Sequence, residues 1–392
     1  MTRPRANAAR LTKDLTAMIA IPSVNPFGAA AMPGRREREM AEDLLARFAA
    51  LGLESHRWDV APGRPNVWGR LKGTGGGPTI VLAGHMDTVD VDGYPEGHEP
   101  RISGGRVYGR GACDMKAALA CYLETVRMIQ EAGIALRGDL IVAGICDEED
   151  LMIGSTDWGR IGPRADFGII GEPTGLRICP AHKGQLCVFF RTEGRATHSS
   201  RPELGVNAVE HMGRIIARFA GLNAELRENG PRHPLCGAGR FSMNVIRGGT
   251  LASAIPDFCE MEVDRRFLPG ERITDIIAEY RARLDALSAP VPDMKASISP
   301  PSLEVQPLDV PRTSPLVRAL ERAVGTVCAA PSVITAFPGG TDAPNMGFPC
   351  VICGPGELEQ AHSANEFVDI QQMQLASEVY FTTVLDLNDR GT

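Results

Sequence analysis

Apolar residues along the chain follow two kinds of pattern. The runs Thr79 to Ala83, Leu140 to Ile145, Phe167 to Ile170, Val333 to Phe337 and Val351 to Cys353 are short and nearly continuous in apolar, often β-branched residues, which predicts strands buried on both faces. Helical spacing governs two other stretches. Arg35 to Leu51 sets Leu44, Leu45, Phe48 and Leu51 on one side and stops at Gly52, predicting a surface helix. Lys116 to Gln130 repeats the pattern with Leu119, Leu123, Val126 and Ile129 ahead of Gly133. Strands that alternate with helices predict an α/β sandwich.

From about Lys183 the texture changes. Gln185 to Thr192, Val206 to Phe219, Phe241 to Arg247, Phe258 to Arg265, Ile273 to Leu287 and Met294 to Ser299 read as β-α-β-β-α-β, an inserted α+β domain of ferredoxin-like order. A helix from Pro315 to Val327 then returns the chain to the first domain. The expected division is residues 1–181 with 304–392 for a discontinuous α/β domain and 182–303 for the insert, a modularity that suits a chain of 392 residues.

Composition narrows the partners. The chain is 43% hydrophobic and 23% charged, without an apolar run of about 18 residues, so no membrane span is expected. Met1 to Arg10 is basic, but Lys13 and Asp14 interrupt Leu11 to Ile21; no export signal is expected, and the cytoplasm is the expected location. Ten cysteines fit reduced thiols there, with Cys350 and Cys353 at C-x-x-C spacing as an alternative redox or zinc pair. A net charge of −7 without a basic cluster points away from nucleic acid and toward small molecules.

The candidate chemistry sits where the predicted strands end: His85 and Asp87 after the first, Asp147 to Asp150 after the second, Glu172 after the third. Open α/β sheets gather ligands at the carboxyl ends of their strands, so residues far apart in sequence can converge there. Each has an ordinary reading as well. Asp114 precedes the helix at Lys116 and could be its N-cap; the four acids at Asp147 could be a solvated turn; His362, after Gly354-Pro355-Gly356, could be a surface histidine. Paired carboxylates and histidines also suit a metal site in which one acid ligates and its neighbour acts as a base.

In order, these residues run His, Asp, Asp, Glu-Glu, Glu and His. Their segments Gly84 to Asp90, Gly109 to Lys116, Asp147 to Asp150, Gly171 to Thr174, Ala196 to Ser200, Asp264 to Gly270 and Gly354 to Glu366 resemble the metallopeptidase M20 family over nearly the whole chain. The resemblance implies that His85, Asp114 and Glu172 hold one divalent ion and Asp114, Glu149 and His362 a second, with Asp114 bridging. Zinc is the default, with cobalt or manganese as alternatives. It further implies that Asp87 orients His85, that Glu148 is the general base, and that His198 stabilises the oxyanion, often from a partner subunit. A homodimer through the inserted domain, which would also serve as a lid, is the corresponding expectation. Arg266 would grip a substrate carboxylate, and Gly340 and Thr341 would contact the substrate. Asn244 would add a polar contact, although a turn or edge-strand asparagine reads equally well. The neighbouring Arg265 reads as a surface charge. One departure is Ser253, where the family often carries Asn three residues before the proline at Pro256.

The implied activity is hydrolysis of a small amide carrying a carboxylate. Glu172 in Gly-Glu-Pro-Thr resembles the acetylornithine deacetylase and succinyl-diaminopimelate desuccinylase branch, so an N-acyl amino acid is the expected substrate. A carboxypeptidase or dipeptidase, or a hydrolase of a less usual amide or aryl amine, is the alternative. Outside this class stand a binding protein without turnover, against which Glu148 argues, and a thiol protein centred on Cys350 and Cys353.

Overall fold

Four of the five apolar runs become strands sealed on both faces, whereas Ile334–Phe337 is half-buried up to Phe337, with Val333 exposed before it. The computed structural model describes residues 4–28 and 37–390, which form two compact units: Met1–Ala181 with Val310–Phe337 and Thr341–Thr392, and His182–Asp309 with Pro338–Gly340. In the first, Ile80–His85 lies parallel between Leu140–Ile145 and Phe167–Ile170, and Cys350–Ile352 runs parallel beside the latter. All residues of these four strands are buried. Antiparallel strands extend the sheet, Arg64–Leu71 and then Glu54–Ala61 on one side, Ile178–His182 on the other.

Helices Ala8–Ile19, Lys116–Glu131, Pro315–Val327 and Ile370–Arg390 pack among themselves, and Arg38–Ala50 packs on Arg64–Leu71. The expected helix start at Arg35 lies outside the described residues. From Arg38 onward its core face is Met40, Ala41, Leu44 and Phe48. Lys116–Glu131 is buried almost all round, the pattern of a helix enclosed by its own protein. It lies so close to the sheet that a side chain at two strand-end glycines would collide with it. A Cβ at Gly84 would come within 2.6 Å of Met115 Cε, and one at Gly171 within 2.4 Å of Ala118 Cβ and of Tyr122 Oη.

The second unit is α+β. Its antiparallel sheet runs in the order Arg240–Gly248, Phe258–Phe267, Gly184–Glu193 and Lys295–Ile298. Along Gly184–Glu193, buried and half-buried residues alternate, which turns one face toward helices and leaves the other partly solvated. Leu186, Val188 and Phe190 meet Met212, Ile215 and Phe219 from helix Ala208–Phe219, and Ile276, Tyr280 and Leu284 from helix Ile273–Ser288. Phe190, Phe219, Phe241 and Tyr280 form the aromatic centre, with ring centroids 4.8–5.8 Å apart.

Candidate metal centre

The three neighbouring parallel strands release their polar residues at one end of the sheet. His85 closes its own strand, Asp147 to Glu149 follow Leu140–Ile145, and Glu172 follows Phe167–Ile170. The loop before Lys116–Glu131 brings Asp114 to them, and the loop after Cys350–Ile352 brings His362. Asp114 caps no helix: the N-cap is Met115, and the Asp114 carboxylate lies between two imidazoles instead. Its Oδ1 is 3.0 Å from His85 Nε2 and its Oδ2 is 3.4 Å from His362 Nε2. His85 Nε2 is also 3.9 Å from Glu172 Oε2 and 4.0 Å from Glu148 Oε2, while His362 Nε2 is 3.1 Å from Glu149 Oε2.

The site concentrates negative charge in a largely buried place, with His362 exposed at its edge. Burial, reinforced by Glu172, drives the Glu148 carboxyl well above the usual carboxylate range, and burial does the same to Glu172. His362, hydrogen-bonded to Asp114 and Glu149, is pushed up to about 10. Buried Glu149 Oε1 and Glu172 Oε1 have no hydrogen-bond partner among the described residues. His85, Asp114 and Glu149 each offer a ligand atom within 4.8 Å of the others. Two imidazole nitrogens, several carboxylates and orphaned inward oxygens are the donor set that a divalent cation completes, so the residues present fit a metal.

Asp87 meets the imidazole of His85 through its main chain rather than its carboxylate. His85 Nδ1 donates to the Asp87 main-chain carbonyl at 2.9 Å, with the carboxylate Oδ1 3.7 Å away. That carboxylate instead accepts the backbone N–H of Glu148 (3.2 Å) and of Glu149 (3.1 Å), and the Asn25 amide at 2.7 Å. Asn25 also donates to Asp147 Oδ1 at 3.0 Å, and Arg64 Nη1 lies 2.6 Å from the same oxygen while its other nitrogens bond Glu37. The four-acid turn is thus clamped rather than freely solvated, with Asp147 buried and Glu148 to Asp150 half-buried. Asn25, Glu37 and Arg64 carried no motif, and only the fold joins them to Asp147. Asp342, also buried, is pushed up to about 7 by that burial and lies within the field of His85 and Asp87.

The remaining expected residues lie as follows. In the second unit, exposed His198 accepts the Ser200 N–H at Nδ1 (3.1 Å), so a neutral ring carries its proton on Nε2. Arg266 Nε donates to Asp264 Oδ1 at 2.9 Å. Arg265 is no surface charge: strand alternation turns it inward, where it bonds Glu271 Oε1 at 2.6 Å. Asn244 is exposed at a bulge between Met243 and Val245 on an edge strand. Gly340 lies against Val305, whose Cγ1 a Cβ there would approach to 2.7 Å. Thr341, in the first unit, is buried and accepts the Ala343 N–H at 3.2 Å. Cys350 and Cys353 are both fully buried with thiols pushed up by burial, the environment of inert core residues.

Residues 81–386 match the model of peptidase family M20/M25/M40. The chain is 31% identical over 380 residues to an N-formyl-4-amino-5-aminomethyl-2-methylpyrimidine deformylase of Bacillus subtilis, with 87% of each chain covered. It is 33% identical over 319 residues to an acetylornithine deacetylase of Erwinia tasmaniensis, covering 79% of this chain and 80% of that one. In fold it is similar to a Staphylococcus aureus tripeptidase (TM-score 0.82, 21% identity, 99% of this chain and 100% of that one). A dinuclear metal-binding M20 peptidase of Bacillus subtilis also shares the fold, at TM-score 0.69 and 17% identity over 97% of this chain and 98% of that one. On these matches the chain belongs to peptidase family M20/M25/M40 and is a metal-dependent amidohydrolase.

Proposed function

We propose that this chain removes the acyl group of a small N-acyl amine or amino acid, using a pair of divalent ions, with zinc the first choice and cobalt or manganese as alternatives. The observation that supports the pair is the way Asp114 turns one oxygen to His85 and the other to His362. On this reading His85, Asp114 and Glu172 hold one ion, and Asp114, Glu149 and His362 the other. When bound, such ions supply Lewis acidity to the amide carbonyl and make water nucleophilic at neutral pH.

The protein's own groups do the rest. Glu148, clamped by its main-chain N–H to Asp87, takes a proton from the attacking water and passes it to the nitrogen as the C–N bond breaks. The Nε2–H of His198 donates to the developing oxyanion, and Arg266, with Asn244, Gly340 and Thr341, holds the rest of the substrate. The roles of His198, Arg266 and Asn244 belong to an inserted domain that on this reading dimerises and serves as a lid, in a cytoplasmic enzyme, while Thr341 lies in the first unit; among the described residues no helix is long and apolar enough to cross a membrane.

The deacetylase relatives favour an N-acyl amino acid. The deformylase, whose substrate is an N-formyl aminopyrimidine, favours a second reading in which the amine is heteroaromatic and needs no carboxylate. The test is a screen of N-acetyl, N-succinyl and N-formyl amino acids, formylated aminopyrimidines and dipeptides, with each metal after chelation. Hydrolysis lost to chelator and restored by metal is expected; turnover confined to dipeptides would overturn the acyl-amine reading.

A further inference from the structure

Glu366 is fully buried and has no part in the roles above. Its two oxygens collect four donors. Oε2 accepts from Arg110 Nη1 at 2.7 Å and from Gly111 N at 3.1 Å, and Oε1 from Cys113 N at 2.8 Å and Asp114 N at 3.0 Å. The Glu366 carbonyl accepts the Gly109 N–H at 3.1 Å as well. Between Gly109 and Asp114 the chain is neither helix nor strand, with positive φ at Gly109 and Gly111. Its N–H groups therefore have no ladder to join, and three of them converge on one carboxylate, an anion-binding concavity filled from within the molecule.

The segment that supplies this carboxylate also supplies His362, four positions earlier. One side chain thus fixes the main chain of Asp114 relative to the loop whose histidine faces Asp114 Oδ2 at 3.4 Å. We infer that Glu366 is a positioning residue for the metal centre: it sets the Asp114 carboxylate between His85 and His362, and Arg110 holds Glu366 in place. The inference rests on the reading of Asp114 as the shared ligand.

The test is metal binding, by calorimetry with zinc and by the visible spectrum of the cobalt-loaded protein, for the wild type, Asp114→Asn, Glu366→Gln, Glu366→Asp and Glu124→Gln. Glu124 is the control, a buried carboxylate of the same unit bonded to Asn7 N at 2.8 Å and Arg10 Nε at 2.9 Å, away from the ligands. Two ions in the wild type, and their loss in Asp114→Asn, establish the shared ligand; without both, that reading falls whatever Glu366 does. Given both, Glu366→Gln should bind metal about 10- to 100-fold more weakly, the range for groups that orient ligands, with an altered cobalt spectrum. Glu366→Asp, which keeps the charge, should recover part of the affinity and serves if the glutamine variant does not fold. Glu124→Gln should lower thermal stability and leave affinity and spectrum unchanged. Wild-type affinity and spectrum in a destabilised Glu366→Gln, or in Glu366→Asp if only that folds, would make Glu366 merely structural and overturn the inference.

Discussion

Replacing Arg64 by Met should destabilise the first unit more than almost any other change of a single polar residue. The guanidinium is 11% exposed and serves two carboxylates that are 0% and 1% exposed, Glu37 and Asp147. Removing one partner of a buried pair typically costs about 3–5 kcal/mol, because the abandoned charge stays desolvated. Here two charges are abandoned beside Asp87, so the upper part of that range applies. At roughly 2–4 °C per kcal/mol for a unit of this size, Tm should fall by about 10 °C or more. The loss should also depend on pH. Burial and then the field of Asp87 already raise the Glu37 carboxyl against the pull of Arg64, and without that pull it should rise further. A carboxyl raised in the folded state binds protons more readily there than when unfolded, so the variant's stability should fall as pH rises, and its deficit should be larger at pH 8 than at pH 5.5. Thermal melts of Arg64→Met, Glu37→Met and the double variant at both pH values measure this. The double variant should melt well above the sum of the single losses. A drop under about 2 °C, an equal deficit at both pH values, or simple additivity would refute the argument.

Glu148→Ala should abolish turnover while metal content, measured by atomic emission, stays at the wild-type level; loss of metal would remove Glu148 from the role of base. His198→Ala should lower kcat by about a hundredfold to a thousandfold, as when one oxyanion donor is removed. Mixing it with Glu148→Ala should restore activity if the histidine serves a partner subunit, and unchanged kcat in the single variant would make it structural. His182 is fully buried, and burial lowers it from 6.5 to about 4. A histidine lowered in the folded state stabilises above pH 6.5 and loses that contribution as pH falls toward 4, on the order of 3 kcal/mol at about 1.4 kcal/mol per pH unit. Tm profiles of the wild type and His182→Gln should therefore converge between pH 6.5 and 4, and parallel profiles would contradict the assignment.

The central strands were legible because burial on both faces leaves an unbroken apolar run, as at Leu140–Ile145. The edge was not: Glu54–Ala61 is mostly exposed and polar on both faces, so no alternation marks it. Ile178–His182 was hidden by Pro180, tolerable where neighbours pair only locally. At the candidate centre, the proposed ligands His85, Asp114, Glu149, Glu172 and His362 were nameable from the chain, because a metal-binding set is constrained in type and order. The supports were not. Any residue with a suitable donor can satisfy a buried carboxylate, so Asn25, Arg64 and Arg110 look like ordinary residues until the fold sets them beside Asp147 and Glu366. Nor does the chain reveal that Asp87 serves the imidazole with its carbonyl and the adjoining turn with its carboxylate.

The helix pressed against Gly84 and Gly171 bears on how this protein can change. At Gly171 a methyl group would meet the Cβ of Ala118, which cannot move without the helix, whereas at Gly84 it would meet the movable end of Met115, so Gly171 leaves the helix that follows Asp114 the less slack. A saturation library across the chain should find Gly171 intolerant even of alanine and Gly84 more permissive. Variants with altered substrate range should accumulate instead in the inserted unit, where exposed positions such as Asn244 tolerate replacement. Chemistry and selectivity would then be free to diverge at different rates within one gene.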